Sequence, residues 1–365
     1  MGEIRVAAAP VSWGVFEQTG DDARQLGPEQ MLGQMAAAGY DGTELGPPGF
    51  FGEAPLMKKR LASHGLSMMG AFLPLRFSRA EHIDEDLEWM GGVLDLLEAG
   101  RPDEVMPKAV LADASLEPER MRWAGQIDAH PEAALPAERF ATFIGNIHRA
   151  AGLARARGFD PVLHFHAGSY CESSDEIHRV YDALDLDLVG MCLDTGHALF
   201  GGADPMEILD TYFEAVRLVH IKDCDREVLG EVCRSGGGLM EAWDRGVFCE
   251  LGHGTAGLDP FLDALKAKGY EGWMTVEQDR FLKPADTPEQ VIDELADTIR
   301  PELPISILLL GMGADMHTAS IFPGADNLDA ALDRRAPPLM AMRAPGAPEP
   351  RITLTAPVLQ GAMTT

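Results

Sequence analysis

Between residue 4 and about residue 280 the chain repeats one unit, a short apolar run followed by a longer amphipathic stretch, and four of the apolar runs stop at His, Asp or Glu. The four are Pro161-Val-Leu-His-Phe-His166, Val189-Gly-Met-Cys-Leu-Asp-Thr-Gly-His197, Val216-Arg-Leu-Val-His-Ile-Lys-Asp223 and Trp273-Met-Thr-Val-Glu-Gln-Asp279. Runs of this length, apolar on both faces, suit strands of a parallel sheet covered by helices. Polar residues at their carboxyl ends fall where such folds place chemistry.

The spacing predicts strands over 4–10, up to Gly46, and over 66–74, 104–112, 161–167, 188–195, 216–222 and 272–278. It predicts helices over 28–38, 55–64, 81–99, 137–158, 174–184, 205–214, 258–268 and 288–301. Residues 114–136 read as a polar excursion and 224–256 as a long glycine-rich loop. Eight βα units in this length are what an α/β protein of the (β/α)8 barrel type requires. An open doubly wound sheet is the alternative, but no glycine-rich fingerprint follows the first strand. A second segment is expected over 286–365. It begins with another buried strand in Ile305-Ser-Ile-Leu-Leu-Leu310 and turns Pro- and Ala-rich from Ala336.

Composition narrows the partners. Asp plus Glu total 58 against 30 Lys plus Arg, a formal net charge of −28. That balance disfavours nucleic acid and anionic membranes, which need clustered cations. No apolar run is long enough to span a bilayer, and Met1-Gly-Glu-Ile-Arg-Val6 lacks a signal-peptide pattern. Val6 also spoils a myristoylation motif. Five cysteines without CxxC spacing fit reduced thiols. A cytoplasmic enzyme acting on a small molecule is expected, with homo-oligomerisation left open.

Asp194, His220 and Glu277 each end an inferred strand, so a barrel would point them into one mouth. Such a donor set suits Mn2+, Co2+ or Mg2+ better than structural zinc. The fifth strand offers His164 and His166, with Glu172 in the loop beyond, as the remaining ligand. His166 and His197 are the candidate acid and base, and Lys222 a stabiliser of negative charge. Glu44 and Trp13 are candidate substrate contacts, the first by hydrogen bonding and the second as an apolar wall. His253 reads as a surface histidine.

The runs Leu193-Asp-Thr-Gly-His197, Val219-His-Ile-Lys-Asp223 and Thr275-Val-Glu277 resemble the xylose-isomerase-like barrel superfamily of sugar isomerases and epimerases. Within it, Tyr40-Asp-Gly-Thr-Glu-Leu-Gly-Pro47, His164-Phe-His-Ala-Gly168 and Gly246-Val-Phe-Cys-Glu-Leu-Gly252 resemble inosose dehydratase, over roughly residues 4–283. The resemblance implies a divalent metal held by Glu, Asp, His and Glu, and loss of water from a keto-inositol. Asp194, His220 and Glu277 match. Many members carry the first Glu on the fifth strand, where this chain has His164, so Glu172 is expected to supply it. His164 then falls to substrate binding. Epimerisation through a metal-stabilised enediolate and non-catalytic sugar binding are the competing functions.

Residues 307–323, Ile-Leu-Leu-Leu-Gly-Met-Gly-Ala-Asp-Met-His-Thr-Ala-Ser-Ile-Phe-Pro, resemble 6-phosphogluconolactonase, and Arg351-Ile-Thr-Leu-Thr-Ala-Pro-Val358 resembles its next strand. The resemblance makes His317 a general base on a lactone. That family's N-terminal half is absent from the matched segment, so a truncated domain is expected here rather than an independent lactonase.

Overall fold

The computed structural model describes residues 4–16, 26–279, 303, 319–345 and 351–361. By internal packing the chain divides into two units, Met1–Leu282 and Lys283–Thr365.

The first unit is a closed barrel of eight parallel strands, paired in chain order with β8 returning to β1. The strands are β1 (Ile4–Ala8), β2 (Gly42–Glu44), β3 (Ser67–Leu75), β4 (Lys108–Asp113), β5 (Asp160–His164), β6 (Gly190–Asp194), β7 (Val216–Ile221) and β8 (Gly272–Val276). Its interior is filled by a layer to which seven strands each give one side chain: Ala7, Met69, Val110, Val162, Cys192, Leu218 and Trp273. All seven are buried, so the layer is part of the packed core. The outward strand residues form a second, larger core with the helices.

Those helices are α1 (Pro28–Ala37), α2 (Ala54–His64), α3 (Ile83–Gly100), α4 (Pro118–Arg122), α5 (Ala137–Ala156), α6 (Ser174–Tyr181), α7 (Thr195–Phe200), α8 (Pro205–Tyr212), α9 (Arg226–Ser235), α10 (Leu239–Asp244) and α11 (Leu258–Ala267). On α5, Phe143, Ile147, Ala150, Ala151 and Ala154 recur at three- and four-residue spacing and bury one face. Ser173 and Glu176 close a capping box at the start of α6.

Among the described residues of this unit the strand and helix expectations hold to within a few residues, and three stretches differ. Residues 224–256 are not one loop. Asp225 caps α9 by accepting from Glu227 and Val228 N–H, and the glycines at 236–238 separate α9 from α10. Asp194 ends β6 and at once caps α7, which the strand reading of 188–195 had hidden. The 114–136 excursion contains α4 and two turns of 3-10 helix. No helix among the described residues is long and apolar enough to cross a membrane.

In the second unit a helix over Leu328–Leu332 precedes an antiparallel strand pair, Leu339–Met342 with Arg351–Leu354, and a helix over Ala356–Gln360 follows. Arg351–Leu354 falls in the run whose resemblance implied a strand, and its partner Leu339–Met342 lies in the Pro- and Ala-rich stretch. Among the described residues the core here comprises Phe322, Ala325, Ala331 and Met342. The expected helix over 288–301, the strand at 305–310 and His317 lie outside the described residues.

Candidate active site at the barrel mouth

Three parallel strands deliver their polar ends side by side. The β6–β7 register sets Asp194 opposite His220, and the β7–β8 register sets His220 opposite Thr275, two residues before Glu277. The Asp194 carboxylate divides its work. Oδ1 accepts the His197 N–H at 2.7 Å and so starts α7. Oδ2 lies 3.3 Å from His164 Nε2, 3.4 Å from Lys222 Nζ and 3.7 Å from His220 Nδ1.

His220 is flanked by carboxylates on both sides, Glu277 Oε2 at 3.0 Å from Nδ1 and Glu44 Oε1 at 2.9 Å from Nε2. Neither nitrogen is in a hydrogen bond despite full burial. Lys222 Nζ reaches Glu277 at 3.2 Å and Asp279 at 2.9 Å. The ammonium stem runs over Gly196, where a Cβ would come within 2.6 Å of Lys222 Cγ. Glycine in the Asp-Thr-Gly-His run is therefore a packing requirement of the lysine.

Burial opposes every charge here, and the neighbours decide the outcome. For Asp194 burial is outweighed by Lys222 and the histidines, which hold it well below the carboxylate range. For Glu277 burial is outweighed by His220 and Lys222, which pull it down to about 2. Lys222, though buried, is raised well above the usual lysine value by Asp194, Asp279 and Glu277. His220, equally buried, is raised by Cys192, Glu277 and Glu44. Four carboxylates thus face two cations, a surplus of negative charge that a buried site does not tolerate unpaired. The oxygen-rich donor set around His220, with one imidazole nitrogen among the carboxylates, fits a divalent cation.

A second group sits beside the first. His197 Nδ1 accepts from Ala167 N–H at 3.2 Å, so a neutral His197 carries its proton on Nε2, 3.3 Å from Asp279 Oδ2 and 3.0 Å from Lys222 Nζ. His166 has the opposite tautomer. Its Nδ1 lies 2.7 Å from the Ala167 carbonyl, which can only accept, leaving Nε2 bare. The two rings pack at 3.8 Å. Burial, then the neighbouring His164, lowers His166 to about 4. Burial, His166 and Lys222 lower His197 well below its ordinary value.

The structure therefore gathers Glu44, His164, His166, Asp194, His197, His220, Lys222 and Glu277. Two expectations are corrected. Glu172 does not join Asp194, His220 and Glu277. Its carboxylate accepts the Gly125 N–H at 2.7 Å and the Gly168 N–H, because the loop after β5 turns back on itself. Glu44, expected at substrate, is the carboxylate that completes the His220 environment. Trp13 donates its indole N–H to Gln34 on α1. The indole beside the imidazoles is that of Trp243 on α10, 6.2 Å from His166 and stacked on Phe16. Sequence reading passed over it because 224–256 looked like loop. It also passed over Asp279, although the run ending there was in view. His253 is exposed, as expected. Lys222 does not pair with Asp223, whose carboxylate instead gathers the N–H groups of Cys224, Gly252, Gly254 and Ala256.

The xylose isomerase-like TIM barrel family model matches residues 32–301, in keeping with the closed barrel, and the chain belongs to that family. An inosose dehydratase of Geobacillus kaustophilus is 30% identical over 283 residues, covering 76% of this chain and 88% of that protein. Among solved structures, the IOLI protein with a bound zinc atom aligns with a TM-score of 0.55 at 15% identity, over 76% of this chain and 90% of its own. D-allulose 3-epimerase from Methylomonas sp. aligns at 0.54 and 16% identity, over 76% and 85%. These two likenesses are of fold. A second family model, glucosamine-6-phosphate isomerases/6-phosphogluconolactonase, matches residues 263–365.

Proposed function

We propose that the chain is a divalent-metal-dependent hydro-lyase that removes water from a cyclic keto-polyol, 2-keto-myo-inositol or a close analogue. The observation that carries the reading is the charge balance of the mouth, four buried carboxylates against two cations. It stands on a barrel 30% identical to an inosose dehydratase.

Glu44, Asp194, His220 and Glu277 would hold the ion. The donors favour Mn2+ or Co2+, with Mg2+ next, and the zinc of the IOLI protein supports a divalent ion on this fold. Bound there, it supplies Lewis acidity to the ketone and an adjacent hydroxyl.

The protein's own groups then divide the proton work. His166 is the only one of His164, His166 and His197 that is not fully buried, and its Nε2 lone pair is uncommitted. It takes the proton from the carbon next to the ketone. The same imidazolium returns that proton to the hydroxyl departing one carbon further on, so proton and hydroxide leave together as water. Lys222 stays protonated among its three carboxylates and balances the oxyanion. Held that way it is no amine nucleophile. Asp279, at 2.9 Å from Nζ, fixes Lys222 in place.

The test uses metal-stripped protein with Mn2+, Co2+ or Mg2+ restored and 2-keto-myo-inositol supplied, following the absorbance of the enone-type product. Metal-dependent absorbance growth is expected for wild type, and a loss of about 10^3-fold for Glu277→Gln. Metal-dependent interconversion of ketoses without the absorbance change would move the protein to the epimerases. Retained sugar binding after metal removal, with neither reaction, would make it a binding barrel.

A further inference from the structure

One peptide unit joins the base to a buried carboxylate. The Ala167 carbonyl accepts from His166 Nδ1–H at 2.7 Å, and the Gly168 N–H of the same peptide donates to Glu172 Oε2. The other oxygen of Glu172 accepts from Gly125 N–H at 2.7 Å, so the carboxylate clamps the 114–136 excursion to the loop after β5. That loop is a tight turn. Ser169 N–H returns to the His166 carbonyl at 3.0 Å, and Gly168 has φ +77. A Cβ at Gly168 would also lie 2.9 Å from Leu239 and from Met121. Glu172 itself is 1% exposed.

We infer that Glu172 is a positioning residue for His166, acting through the Ala167–Gly168 peptide. A carboxylate on the N–H polarises the amide, and a polarised amide presents a stronger acceptor oxygen to the imidazole. The peptide thus stands where a histidine–carboxylate pair has a direct contact, holding the proton on Nδ1 and the lone pair on Nε2. Ala167 N–H, on the preceding peptide, fixes the opposite tautomer of His197. One turn sets both rings. The inference rests on the proposed role of His166 for its catalytic meaning, but the tautomer relation stands apart from any reaction.

Glu172→Gln carries one acceptor oxygen for two N–H donors. It is expected to lower kcat about tenfold, with KM within about twofold and with metal stoichiometry unchanged. Loss of metal would overturn the inference and return Glu172 to the ligands. In long-range 1H–15N spectra of 15N-histidine-labelled protein, wild-type His166 should carry Nδ1–H with a bare Nε2, and the variant should show both tautomers. A folded variant with the wild-type pattern, or a wild type with Nε2–H, overturns it.

The unmutated protein gives a second reading that needs no variant. Burial of Glu172 outweighs Arg120 and the two N–H groups and raises it to about 7. Arg120 of α4, Glu176 of α6 and Cys233 of α9 are the titratable and charged groups around it. The His166 Nδ1 resonance should shift as pH crosses that value, and a flat resonance counts against the relay. If wild type fails to dehydrate inosose while these spectra behave as stated, the proposed function falls and the relay remains.

Discussion

The loop after β5 and the end of β8 each bury a glutamate, and the two glutamates behave as opposites. Glu172, among backbone N–H groups with one arginine near, is raised to about 7 by burial. Glu277, equally sealed, is held at about 2 because burial is outweighed by His220 and Lys222 at 3.0 and 3.2 Å. At Glu172 two amide N–H groups and the Arg120 charge do not offset the loss of water, and at Glu277 two cations at contact distance do. The first region holds its acid by backbone, and the second holds its acid by charge.

The contrast breaks most sharply on metal. Glu277→Gln should weaken metal affinity by about a hundredfold or more, while Glu172→Gln should bind as wild type within about twofold, both read by competition titration. Equal losses would merge the two regions into one site.

Stability against pH sharpens it next. From the ordinary value of 4.5, the raised Glu172 binds protons more tightly when folded, so its contribution is present below 4.5 and is lost as pH rises to about 7. The lowered Glu277 contributes above 4.5, and that is lost as pH falls toward about 2. Each term amounts to about 3 kcal/mol and the slopes have opposite sign. In denaturant melts of metal-free protein, Glu172→Gln should flatten the decline between pH 5 and 7. Glu277→Gln should flatten the fall below pH 4.5. An unchanged slope in either variant removes its half of the contrast.

The smallest effect separates two indoles. Trp243→Ala should raise KM about three- to tenfold by removing an aromatic wall beside His166. Trp13→Phe, which loses only the bond to Gln34, should leave KM within about twofold. The reverse result would restore Trp13 as the wall.

What the sequence could disclose follows from where the information lies. Asp194, His220 and Glu277 were legible because strand ends and chain order suffice to place them, and a parallel barrel brings its carboxyl ends together by construction. Glu172 was not, because its destination depends on a loop reversing at Gly168, a turn no periodicity announces. Glu44 was read as facing the mouth, but its tie to His220 spans the closure between the beginning and end of the barrel. There Thr275 also donates to it at 3.2 Å. Helix α10, and Trp243 with it, hid behind glycines that mark a break between helices rather than an absence of them.

Asp194 has a wider meaning for which acid the position accepts. The ion pair with Lys222 alone would take glutamate there. A helix would not, since its first turn needs a short side chain whose oxygen folds back onto the His197 N–H. Asparagine would keep α7 and forfeit the charge. Glutamate would keep the charge and push the cap one methylene out of register. Only aspartate satisfies both, so the helix cap and the buried charge are inherited as a single letter.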